Sequence, residues 1–257
     1  MKREFLKYIE TGLRSARDDL IFRPLARSHR VKRHVHSEFD PQDKVIGHHV
    51  EKFGDWFRDD FRRVLALLAQ AGRVTDVKTF LDVGANIGTQ TVYALVSNAF
   101  ARAIAIEPVP KNLMALRTNV AVNNLVDRVI VVPKGAGDAP GRMPMLVDSD
   151  NSGGRPLPAG TSPGKKKKPA LGGPPVHAGW EPEALTGAQR VIAARVPICV
   201  EFNSNIYGEA VSAALLARLR QAGYSTATAI NPFGLPERTF PLDAIAAEYL
   251  PGDFLFV

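Results

Sequence analysis

The stretch Thr79-Phe80-Leu81-Asp82-Val83-Gly84-Ala85-Asn86-Ile87-Gly88 decides the fold. Thr79–Val83 is a short run rich in apolar residues, which predicts a buried strand. Gly84–Gly88 predicts a tight turn, and Thr89–Phe100 a helix. Ala103-Ile104-Ala105-Ile106-Glu107 predicts a second strand, stopped by Pro108. Residues 111–124 predict another helix and Arg128–Val132 a third strand. Strands that alternate with helices build βαβ units and a mostly parallel, Rossmann-like α/β sheet.

The same rhythm returns further on. Glu183–Ala194 predicts a helix, Pro197–Phe202 a strand, and Glu209–Ala222 a helix ended by Gly223. Tyr224–Ile230 and Asp253–Val257 predict the last strands. Upstream, one helix is expected over 52–71, with Phe53, Phe57, Phe61, Val64, Leu65 and Leu68 on one face. Residues 2–23 predict an amphipathic basic helix ended by Pro24. Two readings stand for it: packing on the domain or a partner subunit, or an arm for a membrane surface or nucleic acid. The organisation expected is an arm over 1–47 and a main domain over 48–257, interrupted at 151–177. That interruption holds six Gly and six Pro in 27 positions plus Lys165–Lys168. Such a segment cannot bury enough apolar surface to order itself, so a flexible loop is expected.

Composition narrows the function classes. The 257 residues are 45% hydrophobic and 23% charged, which excludes collagen-like, coiled-coil and mainly disordered chains. No apolar run reaches the length of a transmembrane helix. Met1–Phe5 lacks the apolar core of a secretory signal, and the one cysteine, Cys199, excludes an internal disulfide and a Cys-based zinc cluster. A cytoplasmic setting is the expectation. The net charge of +7 invites a nucleic-acid reading. Residues 1–36 alone carry +6 and the lysine run +4, however, leaving the rest at −3.

The chemistry is expected at the turn. Glycine lets the backbone bend sharply and approach a ligand, and ligands of doubly wound sheets bind at the carboxyl ends of the strands. Glu107 ends the next strand, 25 residues after Asp82, where an acid can accept from ribose hydroxyls. The spacing is G-x-x-x-G, not the G-x-G-x-x-G of dinucleotide sites, and Asp82 just before it would repel a pyrophosphate. A ligand with an amino group and a sulfonium, such as S-adenosylmethionine, suits it better. No His/Asp/Glu spacing suggests a metal site.

Phe80–Gly88, followed by Ile106-Glu107-Pro108-Val109-Pro110-Lys111-Asn112-Leu113, then Leu116 and Asn119, resembles the FkbM-like class I methyltransferases. Glu181-Pro182-Glu183-Ala184-Leu185-Thr186-Gly187-Ala188 resembles that family's E-x-x-x-L-x-G-A helix. Pro197–Phe202 resembles the strand after it, and Gly252–Val257 the terminal strand. The resemblance implies that Asp82, Gly84, Ala85, Asn86 and Gly88 line the methionine part of S-adenosylmethionine, that Glu107 holds the ribose, and that Pro108 lies beside the adenine. Asp138 is either an adenine contact or a turn residue. Glu181 and Glu201 are the candidate bases, with His48 and His49 behind them.

One block departs from the family. A strand of the form L-L-x-I-D-x-x-G-x-E should precede Glu181 and lie beside the first strand. Here the aligned stretch is Pro174-Pro175-Val176-His177-Ala178-Gly179-Trp180-Glu181, and two prolines cannot sit in a central strand. A fourth strand is therefore expected to be disrupted or missing. Either a natural insertion or a shifted reading frame accounts for it; Ala170–Pro175 read one base later can encode Trp-Val-Asp, and the nucleotide sequence decides between them. The resemblance implies O-methylation of a hydroxyl on a sugar, glycan or secondary metabolite. A nucleic-acid methyltransferase and an inactive cofactor-binding scaffold are the alternatives.

Overall fold

A computed structural model describes residues 46–53, 56–73, 78–142, 145–148, 151–156, 180–230, 238–242 and 252–257. The expected basic helix over 2–23, the lysine run and His177 lie outside the described residues. The chain divides into two compact units, one running essentially to Gly135 and the other mainly from Ala136 onward.

The first unit is the Rossmann-like element. Its order is α1 (Ile46–Phe53), α2 (Arg58–Gln70), β1 (Thr79–Val83), α3 (Thr89–Val96), β2 (Arg102–Ile106), α4 (Pro110–Val122) and β3 (Val129–Val132). The strands form a parallel sheet in the order β1-β2-β3, with Leu81 beside Ile104 and Ile104 beside Ile130. The single helix expected over 52–71 is two helices. Phe57 takes a left-handed φ of 62°, which the α-helical ladder cannot accommodate, and α2 starts after it. Pro110 opens α4, where its fixed φ is already helical.

Alternation within β1 sends Phe80 and Asp82 to the helical side. Phe80 packs edge-on to Phe61 at 5.6 Å and against Phe100 at 5.2 Å. Ala103 and Ala105 of β2 complete this core with Val92, Leu95, Leu116 and Val120 of α3 and α4. The opposite side is open: Leu81 is 40% exposed, Val83 48% and Ile130 62%. Among the described residues no strand pairs with the outer edge of β1, and the stretch Pro174–Gly179, where a fourth strand is expected to be disrupted or missing, lies outside the described residues.

Met145–Asp148 (β4) and Asn151–Pro156 (β5) make a separate two-stranded sheet. The segment expected to be loop from residue 151 thus begins as a strand. Pairing with β4 supplies hydrogen bonds that Gly153 and Gly154 do not favour by local propensity.

The second unit continues with α5 (Glu181–Gly187), α6 (Gln189–Ala193), β6 (Ile198–Phe202), α7 (Ser204–Tyr207), α8 (Glu209–Gln221), β7 (Thr226–Ile230), β8 (Arg238–Pro241) and β9 (Gly252–Phe256). Its sheet order is β6-β9-β7-β8, and β9 runs antiparallel to both β6 and β7. The helix expected over 183–194 breaks at Ala188, whose ψ of 27° leaves the helical range. Leu185, Phe202, Leu215, Leu219, Phe254 and Phe256 form the core of this unit.

Candidate functional site

The turn after β1 is built by the chain's own hydrogen bonds. The Gly84 and Ala85 amides both donate to the Ile106 carbonyl, at 2.9 and 3.0 Å, so β1 and β2 end together. Gly84 has φ 78° and Gly88 φ 84°, values that favour glycine. The two glycines differ in what surrounds them. A Cβ on Gly84 would meet nothing within 4 Å, whereas one on Gly88 would run into the Leu116 side chain of α4. Gly84 therefore leaves open space at the strand end, while Gly88 serves the packing of α3 on α4. Asn119, buried in α4, donates to the Ile87 carbonyl at 2.7 Å and fixes the far side of the turn.

Two acids stand at this turn. Asp82 is 8% exposed and accepts a 2.5 Å bond from the Thr91 hydroxyl of α3. Burial, reinforced by the nearby Glu107 charge, pushes its carboxyl up to about 6. Glu107 is 4% exposed. Its Oε2 accepts from the Asn86 amide at 2.9 Å. Its Oε1 accepts from the Val109 amide at 2.8 Å and the Asn112 side chain at 3.3 Å. Burial raises its pKa as well. Oε1 has no lone pair left, so Oε2 keeps the remaining capacity to accept from a ligand. The acid expected to hold a ribose also holds the turn to the start of α4. Asp82, Gly84, Ala85, Asn86, Gly88, Glu107 and Pro108 are thus brought together in one unit.

Asp138 belongs to the other unit, on an exposed loop. That loop is anchored within its own unit: Trp180 Nε1 donates to the Ala136 carbonyl at 2.9 Å, and a Cβ on Gly187 would overlap the Gly137 carbonyl. The loop backbone therefore lies directly on the end of α5.

Glu181 and Glu201 are brought together in the second unit through a residue not expected from the sequence. The Tyr207 hydroxyl lies 2.8 Å from Glu181 Oε2 and 2.9 Å from the Glu201 carbonyl. Asp253 sits opposite Glu201 in the β6–β9 ladder. Burial, then the charges of Glu181 and Asp253, push the Glu201 carboxyl up to about 7. Burial and the charges of Glu181 and Glu201 also raise the Tyr207 pKa, so it remains a neutral donor. Asn203, two residues after Glu201, is 3% exposed, and its side-chain oxygen has no donor among the described residues. A buried acceptor left open is a candidate contact for a bound hydroxyl or amine. His49 stacks edge-on to Trp56 at 5.1 Å, which is a packing contact. Among the described residues there is no cluster suited to a metal ion, and no helix is long and apolar enough to cross a membrane.

Thr91, Asn112, Asn119 and Tyr207 were not assigned roles from the sequence. For Thr91 a local signal existed: it lies in the first turn of the helix that follows Asp82. For Tyr207 none did.

Fold and site together define a Rossmann-like α/β protein with an acid-lined turn at the carboxyl end of its first strand. Compared by sequence, the chain matches no family model and no curated protein. Among solved structures, it is similar to the C-terminal domain of precorrin-6Y C5,15-methyltransferase from Rhodobacter capsulatus, at 17% identity and TM-score 0.38, over 76% of this chain and 86% of that one. Precorrin-6y C5,15-methyltransferase from Geobacter metallireducens gives 17% identity and TM-score 0.39, over 76% and 85%. Methyltransferase FkbM from Methylobacillus flagellatus gives 14% identity and TM-score 0.42, over 93% of this chain and 60% of that one. Likenesses this distant say nothing of chemistry, which the site itself must carry.

Proposed function

We propose that the protein is an S-adenosylmethionine-dependent methyltransferase acting on a hydroxyl of a sugar, glycan or secondary metabolite. The observation that carries this reading is the turn itself. Two buried carboxylates, Asp82 and Glu107, flank a G-x-x-x-G backbone whose Gly84 faces open space. A cationic, ribose-bearing ligand fits such a site, and a pyrophosphate does not. Asp82, Gly84, Ala85 and Asn86 would hold the amino-acid end, Glu107 Oε2 the ribose, and Pro108 the base; Asp138 is proposed as a further contact to the base. Gly88 is proposed to line the same end through its backbone while its missing side chain lets α3 pack on Leu116.

S-adenosylmethionine supplies a methyl group already activated by its sulfonium. The chain must orient the acceptor oxygen and take its proton. Glu201, held near neutrality by burial and like charges, is the proposed base. Glu181 is its partner, and Asn203 is proposed to orient the acceptor. A cytoplasmic setting belongs to the same proposal. Pro174 and Pro175, where the resembling family has a central strand, motivate a second reading, a cofactor-binding protein without activity.

Calorimetric titration with S-adenosylmethionine tests the first reading. Micromolar binding that Glu107→Ala and Asp82→Ala each weaken supports it, and absence of binding overturns it. A labelled-methyl screen over glycans, hydroxylated metabolites and RNA then separates the acceptor classes. Binding without any methyl transfer selects the inactive reading.

A further inference from the structure

The Glu181–Tyr207–Glu201 contact is more constrained than a shared hydrogen bond. A phenol has one proton to donate, yet two acceptors flank the Tyr207 hydroxyl at 2.8 and 2.9 Å. One is on the first residue of α5, and the other is the backbone of β6. The ring is itself held: Phe202 packs edge-on to it at 5.8 Å, and its amide donates to the Asn203 carbonyl at 3.1 Å. The groups that bear on Glu201 are Glu181 and Asp253, both acidic, and the acids that bear on the neutral phenol are Glu181 and Glu201. A half-buried glutamate with three rotatable bonds and like charges beside it gains entropy and hydration by turning away. The phenol opposes that turn.

We propose that Tyr207 is a positioning residue whose hydroxyl pins the Glu181 carboxyl beside the strand that carries Glu201, so that the two acids work as one proton-accepting pair. Its use in catalysis rests on the methyltransferase reading; the pairing does not.

The test is a pH titration of the full chain labelled with 13C at the glutamate carboxyls, with the Glu201 signal assigned by its loss in E201Q. E181Q removes the neighbouring charge and lowers the Glu201 midpoint by about one pH unit. Y207F keeps the ring contact but removes the hydroxyl that holds the Glu181 carboxyl, and lowers the midpoint in the same direction. E181D keeps both the charge and the phenol but shortens the reach by one methylene. It moves the midpoint the same way, and decides the matter if Y207F does not fold. If E181Q lowers the midpoint while Y207F or E181D leaves it at the wild-type value, Tyr207 does not position the acid. If E181Q leaves it unchanged, there is no pair. Calorimetry with S-adenosylmethionine on the same samples reports the methyltransferase reading separately. Intact binding with no pairing sinks this proposal alone, and pairing without binding sinks only the other.

Discussion

Glu107 Oε2 accepts the Asn86 amide proton at 2.9 Å, so the acid at the end of β2 holds the turn that follows β1. One carboxylate therefore serves the fold and the candidate site together. Glu107→Ala removes the carboxylate that accepts from the Asn86 and buried Val109 amides, at about 3 kcal/mol in total. Glu107→Gln keeps an amide oxygen and loses about half as much. Urea denaturation of the two variants checks the order, and an equal loss in both contradicts the bonding described.

The two turn glycines separate packing from ligand clearance. Gly88→Ala meets Leu116 and keeps a φ of 84°, so a loss of about 2–3 kcal/mol is expected. In a Leu116→Ala background the loss shrinks to the backbone term alone. Gly84→Ala, with open space around it, costs about 1 kcal/mol. Under the proposed function it nevertheless lowers S-adenosylmethionine affinity at least about tenfold, because its methyl group occupies space proposed for the ligand. Thermal melts and calorimetry on the same preparations distinguish the two effects.

Asp82 makes stability depend on pH in an uncommon direction. Its carboxyl is raised from 3.8 to about 6 by burial, so the native state holds that proton more tightly than the unfolded chain. The stability it contributes is complete below about pH 4 and is lost as pH rises through about 6. Two units correspond to roughly 3 kcal/mol at most. Asp82→Asn removes this slope, and it gains on the wild type between pH 4.5 and pH 7.5. A constant difference between the two proteins across that range refutes the buried, raised carboxyl.

Glu201 sets the acid limb of activity under the proposed function. A base held near 7 is protonated at pH 6 and ionised at pH 8, so the rate rises through about pH 7. Glu201→Gln abolishes that limb and lowers turnover by about 10²–10⁴-fold. Turnover that stays pH-independent from 6 to 8 in the wild type removes Glu201 from the role.

The strand–turn–helix order was legible because its signals are local. Apolar runs of five residues, a turn that needs glycine and Pro108 at a strand end act within a few positions of themselves. The broken helix at Phe57 was not legible, because an apolar face at helical spacing continues across the break. Nor was the strand at Asn151–Pro156, whose glycines disfavour extended structure until a partner strand supplies the ladder.

The sequence by itself determined a βαβαβ unit, the acid-bearing turn after its first strand and the identities of the acids. Only the tertiary structure decided that Gly88 serves Leu116, that Glu107 spends most of its lone pairs on its own chain, and that Tyr207 joins Glu181 to Glu201. The physical reason is range. A hydrogen bond between residues 26 positions apart depends on how α5, α7 and β6 pack, and hydrophobic periodicity specifies which face is buried without specifying which polar atom it brings to which.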